Sequence, residues 1–163
     1  MKAILAVTIF MMLGGGAVAE ARPVPSSASG PMALALAAVV GEHSPVLNAP
    51  ERNALARLFN GEVNFEFPAD QKISVTVDAV VCRMSDIDIV DRSCELTFGT
   101  HRITLKGRQA NELSATASAA SARSEGAAGS IITSFSHLSC TIDPHVILQR
   151  AGGGADCAFI PGQ

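Results

Sequence analysis

The hydrophobic and polar positions fall into segments of different period, and the changes of period mark the elements. Ile4 to Leu13 is an apolar run broken only by Thr8, and Met32 to Val40 is a second, shorter one that predicts a short helix. Asn48 followed by Glu51 three residues later has the spacing of a capping box, and Pro50 suits a first helical turn. Leu55, Leu58 and Phe59 then fall on one helical face, and Asn60-Gly61 is a natural stop.

After Gly61 the period drops to two. Val63, Phe65 and Phe67 alternate with Glu62, Asn64 and Glu66, which predicts a half-buried strand, and Pro68-Ala69-Asp70 predicts a turn. Ile73, Val75, Val77, Ala79 and Val81 predict one apolar face of a longer strand, with Ser74, Thr76, Asp78, Val80 and Cys82 on the other. Cys94 to Phe98 and Arg102 to Lys106 read as short strands joined by a tight turn at Gly99-Thr100. Ala110, Leu113, Ala117 and Ala120 share a helical face, and Ser124 to Gly129 reads as a flexible break. Ile131 to Ile142 leans toward strand through its Ile, Thr and Ser content. Asp143-Pro144 opens a short helix through Arg150, Gly152 to Gly154 ends it, and Asp156 to Ile160 predicts a last strand.

These elements add up to an α+β fold: an antiparallel β-meander with two or three flanking helices in one disulfide-stabilised domain. The strands follow one another too closely for helical crossovers, so a doubly wound parallel sheet is disfavoured.

The first apolar run gains a second meaning from its surroundings. Lys2 precedes it, Gly14 to Gly16 follow, and Ala17-Val18-Ala19 supplies small residues, which is the pattern of a secretory signal peptide cleaved between Ala19 and Glu20. The run is too short for a bilayer span, which needs ~20 apolar residues. The expected organisation is therefore a signal peptide over 1–19, a flexible Pro- and Ser-rich linker over 20–31, and one exported domain over 32–163, in the periplasm or outside the cell. The first cysteine is Cys82, so no cysteine stands at the cleavage point to carry a lipoprotein anchor. Beyond the signal segment Arg outnumbers Lys nine to two and alanine is abundant, a composition common in GC-rich bacterial genomes.

Four cysteines, Cys82, Cys94, Cys140 and Cys157, all lie in the exported part and point to two disulfides. Of three possible pairings, Cys82–Cys94 and Cys140–Cys157 are favoured because each pair brackets a short, turn-rich segment. Loops of that size contribute ~3 kcal/mol each. No pair has the close spacing of zinc ligands.

The remaining composition mostly excludes. The net charge is −3 and the chain has no Trp or Tyr, which disfavours nucleic-acid binding and aromatic sugar platforms. His137, Cys140, Asp143 and His145 cluster in sequence, but positions three apart on a strand point to opposite faces, so no metal site is assigned. Asp86, Asp88 and Asp91 faintly resemble a calcium loop, whose ligands come from alternate positions, but its central glycine and closing glutamate are missing. The glycine run at 152–154 follows a helix and is not followed by Lys-Ser or Lys-Thr, so it is no phosphate loop. Glu62 and Glu66 lie four residues apart on one strand, about 13 Å and too far for a glycosidase pair. His43 and His101 read as surface or turn residues, and no nucleophile motif is present. The sequence thus assigns no catalytic, cofactor or metal residue.

Three functions stay open: a non-catalytic module binding an unidentified protein or small ligand, a cofactor-free hydrolase whose site the fold assembles, and an inhibitor presenting the Cys82–Cys94 loop. The first is favoured.

Overall fold

A computed structural model describes residues 25–85, 92–119, 123–127, 130–150 and 152–161. The elements run β1 (Ser26–Ser29), α1 (Pro31–Glu42), α2 (Ala49–Phe59), β2 (Ile73–Ser85), β3 (Ser93–Phe98), β4 (His101–Lys106), α3 (Gly107–Ala119), β5 (Arg123–Ala127), β6 (Ser130–Ile142), α4 (Pro144–Gln149) and β7 (Ala155–Pro161). Among the described residues, one antiparallel sheet in the order β1-β7-β6-β2-β3-β4, with β5 also paired to β6, makes this an α+β protein with a β2-β3-β4 meander and four helices. The cleavage point at Ala19 and Glu20 lies outside the described residues, as do Asp86, Asp88, Asp91 and Ala120.

Several elements form where their local chemistry dictates. Asn48 caps α2: its side chain accepts from the Glu51 backbone N–H at 2.9 Å, and the Glu51 carboxylate accepts from the Asn48 N–H at 3.0 Å. Two of the orphan donors of that helix end are satisfied this way. We expect Asn48→Ala to lower the unfolding free energy by about 1 kcal/mol, read from urea titration by circular dichroism, with Asn48→Asp close to neutral. Equal midpoints for all three proteins would show that the cap contributes nothing. Asp143 caps α4 in the same manner, accepting from the Val146 N–H at 3.1 Å. The β3–β4 turn falls at Gly99-Thr100, with Gly99 at φ 59°.

The core lies on the helix-bearing face. Leu36 and Val40 of α1, Leu55 and Leu58 of α2 and Leu113 and Ala117 of α3 pack with Ile73, Val75, Leu138, Ile142 and Phe159 of the sheet. Phe159 and Phe135 rings meet at 5.5 Å. The opposite face carries small hydroxylic side chains. Ser74 and Thr76 on β2, Ser139 and Thr141 on β6, and Ser27 and Ser29 on β1 are all exposed there.

Five sequence expectations are corrected. The single apolar face of β2 is really two half-faces: Ile73, Val75 and Val77 are buried, then Val80 and Cys82, while Ala79 and Val81 are only half-buried. β6 switches at the same level, from Ile142, Cys140 and Leu138 to Phe135 and Thr133. The cause is a bulge. His137 has φ 53°, the one non-glycine with positive φ among the described residues, and the register against β7 shifts between Ser136 and Ser139. One extra residue moves every later β6 side chain to the other face, and β2, whose register with β6 is the same on both sides of Asp78, changes face with it.

The predicted strand over Val63–Phe67 is not a strand, and it pairs with no strand among the described residues. Arg57 holds it against α2 instead, donating to Asn64 O at 3.2 Å and lying 4.7 Å over the Phe65 ring. Phe59 leaves the helical face assigned to it and is 51% exposed. The segment read as a linker contains β1, paired to β7 from Ser26↔Phe159 to Ser29↔Asp156. The segment read as a flexible break, Ser124 to Gly129, holds all of β5 but Arg123, and β5 is paired to β6. In both, backbone ladders form without large side chains to announce them.

Candidate functional site

The two disulfides locate the hydrogen bonds of the sheet. Cys82 joins Cys94 directly across β2–β3, and Cys140 joins Cys157 directly across β6–β7. Each pair has Cα atoms 4.0 Å apart, the close spacing of a non-hydrogen-bonded antiparallel pair. The N–H and C=O of Cys140 therefore point away from β7, toward β2, where its partner is Val75. By alternation, Ile73, Val75 and Val77 direct their backbone groups at β6. Ser74 and Thr76 direct theirs at the opposite edge of β2.

That edge is open. β3 pairs with β2 only from Ala79 to Arg83, so over Ile73–Val77 no strand lies beside it among the described residues. The result is a step in the sheet, closed at one end by the β3–β4 turn. Asp78 fixes that end, its carboxylate accepting the Gly99 backbone N–H. A groove of about 440 Å³ runs along the step, lined by Pro45, Val46, Thr76, Val77, Asp78, Phe98, Gly99 and His101. Val46 is 71% exposed on its wall, the most exposed large apolar side chain among the described residues. The groove offers an apolar wall, a threonine hydroxyl, two titratable side chains and backbone groups with no partner among the described residues.

Two other grooves lack an open strand edge. One of about 380 Å³ lies between α2 and residues 65–71, where Asn48 is the helix cap and Arg57 is bonded to Glu62 at 2.8 Å. One of about 240 Å³ lies between Leu34, Leu58, Phe59 and Ile147, and its lining is apolar apart from backbone.

The residues that sequence reasoning weighed do not converge. His137 is exposed at the bulge, Cys140 is bridged, Asp143 caps α4 and lies 3.7 Å from Lys72, and the His145 ring contacts Gln149. Among the described residues no three His, Cys, Asp or Glu side chains are grouped to hold a metal ion. Glu62 is paired with Arg57 and Glu66 lines the groove beside α2. His43 ends α1, and His101 opens β4 beside the step. The tip of the Cys82–Cys94 loop lies outside the described residues. Ser74, Thr76, Asp78 and Val46 were missed. One signal pointed to them: a strand reaching from Ile73 past Cys82 is too long for a partner of only Cys94–Phe98, so part of its edge had to remain uncovered.

No helix among the described residues is long and apolar enough to cross a membrane. No family model matches the chain, and no curated protein or solved structure matches it.

Proposed function

We propose that this protein is an exported, non-catalytic binding module whose docking site is the step beside β2. The observation that carries the reading is Val46, a branched apolar side chain held 71% exposed on the wall of a groove with unpaired backbone on its floor. Isolated exposed apolar residues are ordinary, but one beside an open strand edge combines desolvation energy with directional bonding. Two buried bridges make the scaffold stiff on both sides of the step, which lowers the entropy lost on docking. Disulfides and the absence of a membrane-crossing helix among the described residues are compatible with export.

The test is capture from the native envelope fraction, with residues 20–163 as bait and the Val46→Asp variant as control. We expect one partner to be enriched reproducibly by the unmodified bait and lost with Val46→Asp. If the unmodified bait enriches nothing over repeated captures, the binding reading is wrong.

A further inference from the structure

Resting on that binding reading, we propose that the step takes an extended peptide segment of a partner protein, added to β2 as a strand end to end with β3. The backbone decides the class of occupant. Ser74 and Thr76 each present one N–H and one C=O to the open edge, alternating along a single line. A second extended backbone satisfies all four at once.

The molecule already uses this arrangement elsewhere. β6, also 13 residues long, has its far edge shared end to end by β5 over Ser130–Ser134 and β7 over Phe135–Ile142. β2 is 13 residues long too, but β3 covers only Ala79–Arg83 of its outer edge. The uncovered stretch, Ile73 to Val77, has the length of a short strand.

Side-chain alternation specifies the segment. Residues of the incoming strand opposite Val75 and Val77 point to the helix-bearing side, where Val46 and Phe98 line the groove. Residues opposite Ser74 and Thr76 fall on the hydroxylic face. The recognised segment is therefore apolar at every second position and small or polar between. It ends at the β3–β4 turn, which the Asp78–Gly99 bond holds in place.

The experiment follows amide hydrogen exchange by NMR in the intact mature protein. The probe is a capped peptide of alternating threonine and valine, compared with the same peptide N-methylated at every second residue. In the free protein the Ser74 and Thr76 amides should exchange rapidly while those of Val75 and Val77 are protected. The unmodified peptide should slow both edge amides by at least ~tenfold, and the N-methylated one should not.

Thr76→Pro removes one donor on the open side and leaves the bonds to β6 intact, so it should abolish the protection of Ser74 with the circular dichroism unchanged. The proposal is overturned if neither edge amide slows, or if the N-methylated peptide protects equally. It is also overturned if the edge amides are already protected without peptide. Concentration-independent protection would then assign the edge to the chain's own segment, and concentration-dependent protection to a second copy. Should Thr76→Pro fail to fold, the N-methylated peptide decides by itself. A partner lost with Val46→Asp but kept with a folded Thr76→Pro would leave the binding reading standing and remove strand addition.

Discussion

Replacing Cys140 and Cys157 together by alanine should lower the unfolding free energy by about 3 kcal/mol. The bridge closes a segment with a sequence separation of 17, and losing it restores that loop's freedom to the unfolded chain. It also joins the strands on either side of α4, so the excursion through Asp143–Gly154 is tied at both ends. Both sulfurs lie in the core, with Cys140 at 0% and Cys157 at 3% exposure, and alanine keeps the site apolar. The double variant avoids a stranded thiol. With no Trp or Tyr in the chain, unfolding is best followed by far-ultraviolet circular dichroism in urea. A loss below ~1 kcal/mol would mean that the unfolded chain is already held compact in this region.

Gly154→Ala should cost a similar amount, about 3 kcal/mol, from two separate sources. Gly154 has φ +80°, a left-handed conformation in which a Cβ is strained. An added Cβ would also stand 2.8 Å from the backbone oxygen of Asp143 and 3.0 Å from the side chains of Val146 and Ile147. Moving away from that contact would break the bond from the Asp143 N–H to Gly154 O at 2.6 Å, where α4 is anchored. Gly152 supplies the control. It has φ +85°, but nothing lies within 4 Å of its added Cβ, so Gly152→Ala should cost only the strain, about 1 kcal/mol. Equal losses in the two variants, by the same urea titration, would refute the steric part of the account.

The features that were legible in the sequence are those whose partners are neighbours in the chain. Asn48 and Glu51 form a capping box because three residues separate them at the start of a helix. Gly99-Thr100 turns because the strands around it need nothing else to pair. The favoured cysteine pairing is the one found, since short loops bring Cys82 to Cys94 and Cys140 to Cys157 across adjacent strands. What escaped the sequence depends on remote partners. Ser26–Ser29 is a strand only because β7, more than a hundred residues later, offers an edge. Val63–Phe67 has strand alternation yet is no strand: Arg57 engages it, and among the described residues it joins no sheet.

The candidate site belongs entirely to the second group. Ser74 and Thr76 are ordinary polar positions of an alternating strand until the length of β3 is known. Val46 is an ordinary loop residue until the turn carrying Phe98 and Gly99 is placed opposite it.

By itself, then, the sequence determined the α+β class, the caps, the tight turn and the order of most elements, because hydrophobic period and local hydrogen bonding act over a few residues. Only the tertiary structure decided which strand edges are covered, where β6 bulges at His137 and changes face together with β2, and that the outer edge of β2 is left uncovered over Ile73–Val77. Those outcomes rest on pairing between distant segments, and alternation along one strand carries no information about what lies beside it.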